Sequence, residues 1–156
     1  MRSDLVLAGL LVGASLTASA DAATPSYTMR GPCHVRTTSG PIAFDQTYNP
    51  TLQAVVTGPD KDLRIEVTGE GMSCVLRGVR VGTAITLPLG QKCPVHIDRD
   101  GFKGDLEGSL ASGKGTLISK TLALKTTWDV AGKVKVVFKK MNVTGVVEAD
   151  VKGNRL

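Results

Sequence analysis

From Tyr27 onward the chain alternates apolar and polar residues with a period of two, the spacing of strands with one buried and one wet face. In "TLQAVVT" Leu52, Ala54 and Val56 share a face. In "DLRIEVT" Leu63, Ile65 and Val67 lie opposite Arg64, Glu66 and Thr68. "GPDKD" (58–62) between them has the glycine, proline and aspartates of a turn. "MSCVL" sends Met72, Cys74 and Leu76 inward, "TAITLPL" Ile85, Leu87 and Leu89, and "CPVHID" Cys93, Val95 and Ile97. "RDG" (99–101) is the next turn. The stretch "GFKGDLEGSLASGKGTL" (101–117) keeps the alternation but sets glycines among its inward residues: Phe102, Gly104, Leu106, Gly108 and Leu110. "SGKG" (112–115) reads as a turn. Leu122, Leu124, Thr126, Trp128 and Val130 face in, "AGK" (131–133) reads as a hairpin turn, and Val134, Val136 and Phe138 follow inward. The phase slips near Lys139 and Lys140, after which Met141, Val143, Gly145, Val147, Ala149 and Val151 face in. A bulge, or a short turn at "KKMN", would produce that slip.

No helical period of useful length interrupts this pattern. It predicts an all-β domain: a single antiparallel meander of eight to nine short strands, closed as a barrel or packed as a sandwich. Mostly sequential turns favour up-and-down order, and closure would remove exposed edges. The inward glycines Gly104, Gly108 and Gly145 either let the sheet coil sharply or leave volume beside Phe102, Leu106 and Trp128.

The N-terminus changes the compartment. Arg2 precedes an apolar run at residues 5–16, and small residues follow, with "ASA" (18–20) as the expected cleavage site and "ADA" (20–22) as the second choice. The expected organisation is a signal peptide at 1–20, a disordered lead-in at 21–26 and one domain at 27–156. The run is too short for a membrane span, and no later run approaches that length, so the mature chain carries no transmembrane segment. A periplasmic or extracellular location is expected. In such a compartment cysteines oxidise. Of Cys33, Cys74 and Cys93, the last two share inward parity and close a short segment, so the expected disulfide is Cys74 to Cys93. Cys33 is left over, as a buried thiol or a link between chains.

Charge and composition narrow the partners. The net charge is +5 and only 4% of residues are aromatic. Single-stranded nucleic acid needs stacking rings, so nucleic acid is not expected. Lys133, Lys135 and Lys139 form an outward basic patch, with Lys140 and Lys152 nearby, suited either to an anionic envelope surface or to keeping the face soluble.

Catalytic chemistry finds little purchase. His34 and His96 both face outward, with no partner at readable spacing. Asp105 and Glu107 share an outward strand face beside Lys103, the pattern of a solvated sheet. "DRDG" (98–101) is a fragment of an acidic metal loop with too few carboxylates. "NVT" (142–144) fits a glycosylation acceptor but sits mid-strand. No catalytic residue, cofactor or metal is expected, and the chain reads as a non-enzyme. The one-sided strands, small size and export signal resemble calycin-type ligand-binding barrels in general architecture. The Gly-x-Trp motif of lipocalins is missing, since Trp128 lies late and follows Thr126 and Thr127. No functional residue is carried over from that resemblance. The expected function is burial of an apolar or amphipathic small ligand, lipid included, inside the barrel. Phe102, Leu106, Leu124, Trp128, Phe138 and Val147 are the candidate lining. The alternative is an envelope, coat or inhibitor protein with a filled core, acting through its outer face.

Overall fold

The computed structural model describes residues 24–156, and the expected signal peptide lies outside them. Within these residues the chain is all-β, without a helix. The strands are β1 (Ser26–Arg30), β2 (Cys33–Ser39), β3 (Asp45–Tyr48), β4 (Thr51–Thr57), β5 (Leu63–Gly69) and β6 (Met72–Val81). They continue with β7 (Ala84–Thr86), β8 (Lys92–Arg99), β9 (Phe102–Ile118), β10 (Thr121–Val136) and β11 (Lys139–Arg155). Strands β1 and β2 run end to end along β11, broken only at Gly31 and Pro32. Strands β3 and β4 run end to end beside them, and β7 and β8 together occupy the place between β6 and β9. The result is one antiparallel sheet in sequence order whose eight-strand ring closes, barrel-like, through β1 against β11. The expected meander is observed.

Length is where the expectation fails. β9, β10 and β11 are 17, 16 and 17 residues long, and both "SGKG" and "AGK" lie inside them rather than at turns. In β9 the register against β10 jumps between Ser112 and Leu110, leaving Ala111 unmatched. That bulge flips the face, so Phe102 to Leu110 point in on even numbers, and Gly113, Gly115 and Leu117 on odd ones. The phase slip expected near Lys139 is a two-residue loop at 137–138, because Val136 pairs with Lys139. Pro25 and Ser26, expected in the lead-in, are engaged: their carbonyls accept from the Val56 and Leu156 amides.

The ring has two unlike halves. At the end that holds the 58–62, 82–83 and 119–120 turns, every strand has neighbours on both sides. There Met29, Ile65, Ile85, Leu87, Leu110 and Leu122 are fully buried in one core. Leu89, expected inward, is exposed in the connection between β7 and β8. At the other end the β5–β6 hairpin stops at Glu70 and Gly71 while β8 to β11, β2 and β3 continue past it. One edge of β3 and one edge of the last residues of β8 therefore lack a ladder neighbour among the described residues. Side chains bridge that gap: the Arg99 guanidinium lies 5.0 Å over the Tyr48 ring, and Phe44 meets Phe102 edge-on at 6.3 Å. Among the described residues no helix is long and apolar enough to cross a membrane.

Candidate functional site

The two halves meet at a seam, and the seam holds the interior cavity. Its volume is about 100 Å³. Cys33, Met72, Val95, Val147 and Ala149 line it toward the open half, and Leu52, Leu76, Leu124, Thr126 and Val151 toward the closed one. Trp128, Val130, Gly108, Val67 and the Cys74 and Cys93 side chains complete the wall. Thr126 is the only side chain in the wall with a polar oxygen, and it is spoken for: Trp128 Nε1–H donates to its hydroxyl at 2.9 Å. This bond fixes the indole across the cavity and leaves the wall apolar.

Gly108 and Gly104 show the two uses of an inward glycine. A methyl at Gly108 would lie 3.3 Å from Trp128 Cε3, so this glycine leaves room for the ring. A methyl at Gly104 would collide with the Lys133 carbonyl of the adjacent β10, so this glycine lets two backbones close up as the sheet coils.

The seam is stapled. Cys74 on β6 and Cys93 on β8 form the disulfide, with Cα atoms 5.1 Å apart. Next to it the β6–β8 ladder stops, and the Gln91 side chain takes over. Its Oε1 accepts from the Arg77 amide at 2.6 Å and its Nε2 donates to the Arg77 carbonyl at 2.9 Å, as a neighbouring strand would. Cys33 remains a free, half-buried thiol against the cavity. Burial raises its pKa, which keeps it protonated and poorly nucleophilic.

The six expected lining residues divide. Leu124, Trp128 and Val147 line the cavity. Phe102 and Leu106 face inward in the open half, half-buried and away from it. Phe138 does not face inward: it sits on the 137–138 loop and is 92% exposed. Its inward assignment followed from continuing the β10 alternation through a turn. Cys33, Met72, Val95 and Ala149 were not singled out as lining, although the inward parity of each was already visible in the sequence.

On the outer face, the histidines have partners that sequence spacing did not show. His34 Nε2 lies 2.6 Å from Asp45 on β3, and its Nδ1 lies 3.5 Å from Glu148 on β11. The Asp45 bond, then the Glu148 bond, raises its pKa. His96 pairs with Asp105 at 2.8 Å. Glu107 pairs with Lys92 at 2.9 Å and Asp98 with Lys103 at 3.1 Å, so these carboxylates belong to a solvated, ion-paired face. None of the hydrogen bonds made by either histidine goes to a hydroxyl or a thiol. Among the described residues no cluster of three or more histidines, cysteines and carboxylates is arranged to hold a metal. Asn142 is exposed on β11, mid-strand. Lys133 and Lys135 line an open outer groove of about 550 Å³ with Lys103 and Lys140, and Lys139 follows the loop at the groove's end. No protein-family model matches the chain, and no curated protein matches it.

Proposed function

We propose that the chain is an exported carrier or receptor domain that buries the apolar end of a small amphipathic molecule at the seam of its barrel. The observation that carries this reading is the cavity wall: an apolar recess with its one polar group internally satisfied, placed where a closed ring gives way to an open one. Its size limits the guest. About 100 Å³ is roughly three times the liquid volume of one water molecule and below the several hundred Å³ typical of drug-sized sites. A short alkyl end fits there, and the remainder of the molecule extends along the half-buried Phe102 and Leu106 of the open half. The disulfide and the N-terminal sequence pattern support an oxidising, exported location.

Trp128 is the only tryptophan in the chain and lines the cavity, so its emission reports occupancy directly. Titration with straight-chain alkyl carboxylates of increasing length should change that emission saturably. Affinity should rise by about fourfold per added methylene over the first few carbons. Gly108→Leu fills the recess and should abolish the response, as should Val147→Phe, each checked for a native melting transition. Absence of a saturable response at every chain length, or undiminished binding by both folded variants, would overturn the reading.

A further inference from the structure

The tip of the β10–β11 hairpin is built against the ordinary rules for a turn in water. Two-residue hairpin loops favour asparagine, aspartate or glycine where φ is positive. The chain follows that rule at Asp100-Gly101 and at Gly71, with both glycines at φ 79°, and departs from it with polar residues at Glu70 and Ser119, held at φ 51° and 54°. At 137–138 it uses valine and phenylalanine instead. Val137 is held at φ 56°, a region that a β-branched residue rarely adopts. The two side chains are 73% and 92% exposed. Strain and apolar exposure coincide at one point, and the fold gains no packing from either.

The surroundings are as unusual. Between Asp129 and Glu148 the chain contains Lys133, Lys135, Lys139 and Lys140 and no acid. Lys103 on β9 is directly opposite Lys135 on β10, which is directly opposite Lys140 on β11. Like charges placed face to face across strands repel. Only Lys103 of the three has an ion pair among the described residues, to Asp98. Together with Lys133, this row lines the open outer groove behind the tip, whose two carboxylates, Asp105 and Glu107, are paired to His96 and Lys92.

An apolar point flanked by a row of lysines matches the interface of an anionic bilayer, whose headgroups attract lysine and whose acyl boundary accepts phenylalanine and valine. We propose that Val137 and Phe138 insert into an anionic lipid membrane while Lys103, Lys135, Lys139 and Lys140 contact its headgroups. The docked molecule would present its open half to the lipid. This inference stands apart from the interior-binding reading, because docking is read from partition onto vesicles alone.

The test is flotation with vesicles of phosphatidylcholine, alone or mixed with phosphatidylglycerol. The protein should float with the mixed vesicles, poorly with the neutral ones, and less at high salt. Phe138→Ser should weaken that partition about tenfold. Lys135→Glu with Lys140→Glu should do at least as much, whereas Ile118→Ser at the opposite end of the barrel should change nothing. Phe138→Trp should shift its emission to the blue on mixed vesicles only. These sites are exposed, and an unchanged thermal melt verifies the fold of each variant. Two results would overturn the proposal: no association with mixed vesicles at low salt, or Phe138→Ser floating as well as wild type. In the second case a soluble polyanion displacing both proteins equally would identify the lysine row as a general anion surface.

Discussion

The closed and open halves are made from the same long strands, yet they differ in how their interiors are filled. In the closed half, inward residues are Met29, Ile65, Leu110 and Leu122, all without contact with water. In the open half, the same alternation places Phe102, Leu106 and Met141, which are half-buried, and Val134 and Val143, which are buried but stand outside the main core cluster. Residue type does not make the difference, since both sets are large and apolar. Neighbouring strands do. Where β5 and β6 are present, the ring closes and its interior packs; past their turn, the Phe44, Tyr48, Arg99 and Phe102 side chains span the opening, with Arg99 also paired to Glu70. The lesson is that strand parity selects a face, while ladder closure decides whether that face becomes a core.

The largest effect should come from truncation on the two sides of that divide. Ile65→Ala in the closed half should destabilise by about 2–5 kcal/mol, the cost of removing buried methylenes and leaving a hole. Phe102→Ala removes a larger side chain, but from a half-buried place, and should cost about 1–2 kcal/mol. Urea melts of the two variants measure this directly. Equal losses would show that the open half is packed as tightly as the closed one, and the comparison would then collapse.

The disulfide tests the seam itself. Cys74→Ala with Cys93→Ala opens a loop of 18 intervening residues and should cost about 3 kcal/mol, from the chain-entropy treatment of such a cross-link. Its local consequence is sharper than its global one. Amide exchange should accelerate in β8, which loses its tether to β6, and much less in β1 and β4, which keep full ladders. Uniform acceleration would mean that the staple acts only on the unfolded chain.

Much of this was legible in advance, for a physical reason. A period of two in the sequence is a statement about faces, so the inward sets of β4, β5, β6, β10 and β11 could be read, and with them the pairing of Cys74 and Cys93. Turns were misread where composition and ladder disagreed. "SGKG" and "AGK" have turn residues, but β9 and β10 have partners along both sides, and the ladder bonds prevail over local preference. The 137–138 loop failed in the opposite way. Valine and phenylalanine carry no turn signal, so the alternation was continued through them and Phe138 was assigned inward. That error marks the tip, because a turn made from the wrong residues is a local conflict that the fold tolerates without benefit to itself. The cavity wall was half legible: Trp128 and Val147 stood out, whereas assembling Cys33, Met72 and Val95 around them required the strand order, which parity does not contain.

The smallest effect concerns the outer brace of the open half. His34 ties β2 to Asp45 on β3 and to Glu148 on β11, adding a side-chain link to the ladders that already join these strands. The two carboxylates raise the imidazole pKa above its ordinary value of 6.5. The contribution of the brace is therefore fully present below that ordinary value and is lost as pH rises through the raised one. Because the site is open to water, the change in global stability should be slight. The local change is measurable. Amide exchange of β2 and β3, corrected for its intrinsic pH dependence, should become less protected as pH climbs through the raised pKa, while β5 and β6 in the closed half stay constant. In His34→Gln, which retains hydrogen bonding but cannot take up the charge, the pH dependence should vanish and β2 and β3 should exchange at the faster rate throughout. A pH dependence that survives in His34→Gln would assign the brace to another titratable group.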